Sequence, residues 1–235
     1  MKYSIVVPVY KEKNNISALI KKISFFLKKN KKKFELIIVD DNSNDGSKAE
    51  FEKSKQQNTK FLIRKQKPKD LSQSVLYGIK YAKSKNIIVM DGDLQHSPQE
   101  LIKLINFFEK TRNDCVIASR KFNKMGDSLS AIRLFSSRFL IFIFNSLFKL
   151  KISDPMSGFF LIKKKIISKN EKKLFKKGYK ILADIITCDD KIKIGEMFIN
   201  FKKRKRNKSK MSFKILLILM YFLILRFISN KLKNR

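Results

Sequence analysis

The chain has 235 residues, 43% of them hydrophobic, which is enough for one sizeable core and argues against intrinsic disorder. Its 54 Lys and Arg against 20 Asp and Glu give a net charge of +34, a balance that suits nucleic acid, an anionic membrane or a lysine-rich composition. The lysines are spread along the whole chain among Asn and Ile, which favours compositional bias and leaves nucleic acid unexpected as a partner.

Tyr3–Val9 is apolar and β-branched and predicts a strand. It is too soon interrupted by Pro8 for a signal peptide. Asn14 or Asn15 is placed to cap a helix on which Ile16, Leu19, Ile20, Ile23 and Leu27 follow the helical period. Phe34–Val39 predicts a second strand, followed by the turn formers Asp40–Gly46 and a helix after Ser47. Phe61–Ile63 reads as a short strand, Ser72–Lys83 as a helix and Ile87–Met90 as a buried strand. Ser97-Pro98-Gln99-Glu100 combines an N-cap, a first-turn proline and a reciprocal glutamate, so a helix starts there. Cys115–Ala118 is a further strand. The alternation predicts an α/β fold with a mainly parallel sheet and helices on both faces. No Gly-x-Gly-x-x-Gly follows the first strand and no Gly-Lys-Ser/Thr occurs, so dinucleotide and P-loop fingerprints are absent. Two distant cysteines, Cys115 and Cys188, imply neither a zinc site nor a disulfide framework and suit the reducing cytosol.

The Ile87–Met90 run ends in Asp91-Gly92-Asp93. Extended alternation would set both carboxylates on one side, with Gly92 leaving room between them. Two hard oxygen ligands at the C-terminal end of a strand suit Mg²⁺ or Mn²⁺, which keeps other positions for water and phosphate oxygens. Open α/β sheets take ligands at that end. The pair therefore points to a metal-bridged nucleoside diphosphate, although a solvated turn explains Asp-x-Asp equally well on its own. His96 reads as a polar loop residue without a role.

The second half changes character. Residues 133–150 are apolar and aromatic, with Arg133 and Ser137 one helical turn apart; a core helix and a helix in the membrane interface fit equally. A basic block, Lys202–Lys210, precedes the apolar stretch Phe213–Ser229. The uninterrupted part of that stretch, Ile215–Leu225, is shorter than the roughly 20 residues a spanning helix prefers. Snorkelling by Lys214 and Arg226 would extend it, and a tilted span or a deeply buried interfacial helix is expected ahead of a soluble core helix. The division expected is a catalytic domain over 1–212 and a membrane anchor over 213–235.

Several motifs stand in order: Val6-Val7-Pro8-Val9-Tyr10-Lys11-Glu12, Val39-Asp40-Asp41-Asn42-Ser43-Asn44-Asp45-Gly46, Leu71-Ser72-Gln73-Ser74-Val75 with Gly78, and Met90-Asp91-Gly92-Asp93-Leu94-Gln95. Ala118-Ser119-Arg120, Arg133, Asp154-Pro155-Met156-Ser157-Gly158-Phe159, and Phe201, Arg204 and Ser209-Lys210 follow. Each is soft alone; the ordered set, over about residues 2–212, resembles family 2 glycosyltransferases, most closely their dolichyl-phosphate mannosyltransferase-like branch. The resemblance implies a glycosyltransferase A-type, Rossmann-like fold and inverting transfer of mannose or glucose. The donor would be a GDP- or UDP-sugar and the acceptor a polyprenyl phosphate, at the cytoplasmic face of a membrane. It implies that Pro8, Tyr10, Glu12, Val39 and Asp41 line the nucleotide pocket, and that Asp91 and Asp93, flanking Gly92 and assisted by Gln95, hold Mg²⁺ or Mn²⁺. Arg120, Arg133, Arg204 and Lys210 would ring the phosphates, with Ser137 on the acceptor phosphate and Arg120 shared by donor and acceptor.

A phosphate acceptor is already anionic near neutral pH, so no general base is demanded, and Asp184 is left outside the catalytic set. Lys11, Asp70 and Asn207 depart from the pattern, Asp70 and Asn207 standing where relatives commonly have glycine. Two other readings remain at this stage: a same-fold enzyme acting on a glycan or protein hydroxyl, and a non-catalytic basic protein that binds RNA or membrane.

Overall fold

The structure is a computed structural model that describes residues 2–120, 131–178, 180–199, 221 and 223–228. Arg204, Lys210, Asn207, the basic block and most of the 213–235 segment lie outside the described residues, as does the side chain of Arg133.

Seven strands form one sheet: β1 (Tyr3–Val9), β2 (Phe34–Asp40), β3 (Thr59–Ile63), β4 (Asn86–Val89), β5 (Cys115–Arg120), β6 (Phe160–Lys163) and β7 (Ile194–Ile199). Their order is β3-β2-β1-β4-β6-β5-β7, parallel except for β6, which runs antiparallel between β4 and β5. The predicted mainly parallel sheet is present, but no expectation covered β6 or β7. Alternation along β1 sorts its side chains. Tyr3, Ile5, Val7 and Val9 pack with α1 (Lys13–Lys29), α2 (Ser47–Ser54) and α4 (Pro98–Lys110). Val6 faces the other layer, with α3 (Leu71–Tyr81), α5 (Ala131–Phe148), α6 (Lys164–Asn170) and α7 (Ile181–Ile186).

Local chemistry explains most element ends. Ser97 caps α4, its hydroxyl accepting from the Gln99 amide, while Glu100 takes Lys103 instead of reaching back. The start of α1 corrects the expected cap: Glu12 holds that place, and Asn15 lies inside the helix and donates to the Glu12 carboxylate. Gly78 lets α3 settle onto β1 and β2, because a Cβ there would stand 2.8 Å from a Val39 methyl.

The sheet switches direction between β1 and β4, the place where an open α/β sheet gains a ligand crevice. β1 pairs with β4 only over Tyr3–Val6. The Val6 carbonyl faces β4, accepting from the Met90 amide, so Pro8 two residues on faces the same way. The pairing has ended there, and the N–H that proline lacks is not required. The β1–β4 ladder ends at this point, and the segments after Val9 and after Val89 lie at the C-terminal end of the sheet where a crevice is expected.

Candidate functional site

The expected strand geometry of the two acids is corrected. Residues 91–94 form a turn after β4, with Leu94 at φ 62°. Gly92 is also needed for packing: a Cβ on it would stand 2.7 Å from a Val9 methyl, a close approach to β1 that only glycine permits. Room for the Asp91 carboxylate comes from Gly158, whose added Cβ would lie 2.6 Å from Asp91 Oδ1. Asp91 is 38% exposed. Asp93 accepts from the Gln95 amide at 3.1 Å, which sets these two residues in one turn. His96 is part of the site after all: it is buried, its ring lies 4.7 Å from that of Phe159, and its Nε2 stands 3.7 Å from Asp91 Oδ2.

Among the described residues there is no group of three or more His, Cys, Asp or Glu set to hold a metal ion. Two partly exposed carboxylates in one turn nevertheless fit Mg²⁺ or Mn²⁺ of the kind that phosphates and water complete. Asp91 and Asp93 would be the protein side of such a site.

Arg120, at the end of β5, meets the fully buried Asp154 in a two-pronged pair, Nε to Oδ2 at 2.6 Å and a terminal nitrogen to Oδ1 at 3.0 Å. Burial works against the Arg120 charge, but Asp154 and then Asp91 outweigh it and hold the guanidinium protonated. Asp154 is itself fixed from β7, where Glu196 accepts from the Ser153 amide at 2.9 Å and from the Ser119 hydroxyl at 2.5 Å. Ser157 ties the same segment to β5 by donating to the Ala118 carbonyl at 2.8 Å. The Asp154–Phe159 motif thus has three tasks: anchoring Arg120, making room for Asp91 and backing His96.

Lys180, at the start of α7, is half-buried within the field of Arg120, Asp154 and Asp91. Burial and then Arg120 push its ammonium down to about 8, against the pull of the two acids. It was missed as a site residue because its neighbours come from β4, β5 and the 153–154 loop. Arg120 and Lys180 are two cations whose fields reach Asp91, a combination that can offset the repulsion of phosphate oxygens.

The residues expected to line the nucleotide pocket lie at the ends of β1 and β2. Tyr10 accepts from Lys69 Nζ at 2.9 Å, and that ammonium also lies 4.2 Å from the Tyr10 ring centre. Glu12 is partly exposed at the start of α1. The Asp41 carboxylate takes Arg64 Nε at 2.7 Å and the Asp70 amide at 2.7 Å, so it orders the 64–70 segment. Val39 is fully buried beneath α3, and its side chain is core. Lys11 has φ 57°, a left-handed conformation that asparagine adopts more readily. Ser137 is half-buried on α5.

Asp184 is a loop holder. Its oxygens accept from the Phe175 and Lys176 amides at 3.0 and 2.9 Å, and Arg226 from the C-terminal helical segment pairs with it. Arg226 is therefore buried against the domain with Leu223, not snorkelling, while Tyr221, Ile224, Phe227 and Ile228 are exposed. Phe139 and Phe142 of α5 are exposed too, and Phe144 of the same helix is in the core. No helix among the described residues is long and apolar enough to cross a membrane.

A model for "Glycosyl transferase family 2" matches residues 4–170. The chain is 34% identical over 217 residues to a dolichol-phosphate mannosyltransferase of Pyrococcus furiosus, covering 90% of this chain and 59% of that protein's length. It is 32% identical to the dolichol-phosphate mannosyltransferase of Saccharomyces cerevisiae, over 92% of this chain and 84% of that one. Among solved structures, the Mycobacterium tuberculosis glucosyl-3-phosphoglycerate synthase, in complex with Mn²⁺, UDP and glucosyl-3-phosphoglycerate, superimposes with a TM-score of 0.67 at 17% identity. That match covers 97% of this chain and 79% of that one. The Rubrobacter xylanophilus mannosyl-3-phosphoglycerate synthase gives 0.71 at 13% identity, over 100% and 74%. At these identities the structural matches establish the fold, which is of the glycosyltransferase A-type.

Proposed function

The chain belongs to glycosyl transferase family 2, and from that premise we propose that it transfers a hexose, mannose or glucose, from a GDP- or UDP-sugar to a polyprenyl phosphate at a membrane surface. The observation that carries the reading is the cluster of Asp91, Arg120 and Lys180 beside the Asp91–Asp93 turn, in a chain whose relatives of 30–34% identity are dolichol-phosphate mannosyltransferases.

Asp91 and Asp93, with Gln95 beside them, would hold Mg²⁺ or Mn²⁺, and a bound divalent ion supplies Lewis-acid stabilisation of a departing diphosphate. Solved relatives of the fold, such as the mycobacterial synthase, carry Mn²⁺. Gly158 keeps the Asp91 carboxylate in place, and His96 borders it on the side of Phe159. Arg120 and Lys180 lower the repulsion between an anionic donor and an anionic acceptor, Arg120 being aimed by Asp154. The acceptor oxygen needs no proton removed, so no side chain is assigned as a base. The exposed aromatic and aliphatic side chains of α5 and of the 221–228 segment are suited to lie against lipid and bring the acceptor to the domain.

The test is transfer from radiolabelled GDP-mannose and UDP-glucose, with Mn²⁺ or Mg²⁺, to polyprenyl phosphate in detergent or vesicles and to soluble sugar acceptors. Transfer to the lipid alone, lost in EDTA and reduced on the order of 10³-fold in Asp91→Ala and Asp93→Ala while the variants stay folded, is the expected result. Labelling of the soluble acceptors alone would replace the reading with that of a hydroxyl-directed enzyme.

A further inference from the structure

The 173–178 segment reaches the site by contacts that converge on the start of α3. The Gly178 amide donates to Asp70 Oδ2 at 2.5 Å, and the Gly178 carbonyl accepts from the Ser72 amide and hydroxyl at 3.0 and 2.7 Å. Gln73 Nε2 donates to the Lys176 carbonyl at 2.6 Å. Gly178 has φ 89°, a conformation that favours glycine, so the chain is turned sharply at the residue that Asp70 grips. Lys180 follows two residues later.

Asp70 also faces the other way. Its Oδ1 accepts from the Gln73 amide at 3.0 Å and caps α3, and its own amide donates to Asp41 at 2.7 Å. Asp41 is held by Arg64, and the adjacent Lys69 binds Tyr10 and the Asn42 carbonyl. One residue therefore joins the nucleotide end of the crevice to the loop that delivers Lys180. Helix capping alone would need only one of the two oxygens. Burial raises the Asp70 carboxyl above its ordinary value, and the Gly178, Gln73 and Ser72 amides and Arg64 offset only part of that.

We propose that Asp70 is a positioning residue that latches the 176–178 loop onto α3 and thereby holds the Lys180 ammonium at the phosphate end of the Asp91–Arg120 cluster. This latch deepens the proposed function and rests on it in one respect, that the cluster receives a diphosphate.

The experiment is calorimetric titration of the full chain with inorganic pyrophosphate in the presence of Mn²⁺, alongside thermal unfolding, for the wild type, Asp70→Gly, Lys180→Met, Lys180→Arg and the Asp70→Gly/Lys180→Met pair. Each of the first two substitutions is expected to weaken pyrophosphate by about tenfold, the usual scale for a lost supporting contact at a site. Lys180→Arg is expected to retain binding, and the pair to bind no worse than Lys180→Met, because Asp70 acts through that lysine. Multiplying losses in the pair, or wild-type binding by Asp70→Gly, would overturn the latch. The expected pattern without sugar transfer to any polyprenyl phosphate would support the latch and defeat the proposed activity, which separates the two.

Discussion

The loops at the two ends of the crevice differ in how much of their support is local. At the end expected to take the nucleotide, the turn after β2 adds bonds among its own side chains to those from Lys11, Lys13, Arg64, Lys69 and Asp70. Asp40 accepts from the Ser43 amide at 2.9 Å, and Asp45 from the Ser47 amide and hydroxyl at 2.9 and 2.6 Å. At the phosphate end, Arg120 is aimed by Asp154, Asp154 is fixed through Glu196, and the 173–178 loop hangs between Asp70, Asp184 and Arg226. A loop that satisfies its own polar groups keeps its shape whenever its two flanking elements form. A loop held by distant partners is correct only when the far side of the domain is folded, and it softens when any one partner is lost.

The contrast predicts a graded series. Arg120→Ala should be the most damaging, because it strands the fully buried Asp154 charge; a loss of about 3–5 kcal/mol is the scale for breaking a buried pair from one side, read by denaturant unfolding. Arg226→Met should cost less, about 2 kcal/mol, since Asp184 keeps two backbone donors. Its distinguishing mark is faster hydrogen exchange at the Phe175, Lys176 and Gly178 amides with the 40–47 turn unchanged. Uniform loosening of both regions would break the comparison. Asp45→Ala should remove about 1 kcal/mol, the value of a local capping contact, and leave exchange in the 173–178 loop untouched.

A pH-dependent test concerns Glu109, far from the site. Burial raises its carboxyl, but hydrogen bonds from Lys2, Lys32 and Tyr3 outweigh that and bring it from 4.5 down to about 2. A depressed acid adds stability above its unfolded value and loses it as pH falls through the folded one. Between pH 4.5 and 2 the wild type should therefore lose stability more steeply than Glu109→Gln, in parallel urea titrations. Equal slopes would show that the contact is made equally in the unfolded chain.

Much of this was legible beforehand, for identifiable reasons. An apolar, β-branched run marked β1, the helical period marked α1, and Ser97 gave the α4 start to the residue. The strand expected at Phe61–Ile63 runs from Thr59, because pairing with Leu36 and Ile37 extends it beyond its apolar stretch. β6 and β7 were missed because distant pairing gives them their places: β6 inserts antiparallel between β4 and β5, and β7 pairs with β5. The acids Asp91 and Asp93 were found as residues but given the wrong backbone, since a turn and a strand share the same three-letter spacing. Val39 and Gly92, read toward a ligand, also serve packing.

What the sequence determined by itself is whatever depends on neighbours within about one turn: strand and helix alternation, caps, turn formers and the order of the motifs. Tertiary structure alone decided which charges meet. Arg120 finds Asp154 across 34 positions, Ser119 finds Glu196 across 77 and Gly178 finds Asp70 across 108. Those pairings follow from where β6 and β7 enter the sheet. A carboxylate carries no mark of its partner in the chain, because the attraction depends on distance and burial, and both arise only once the layers have packed.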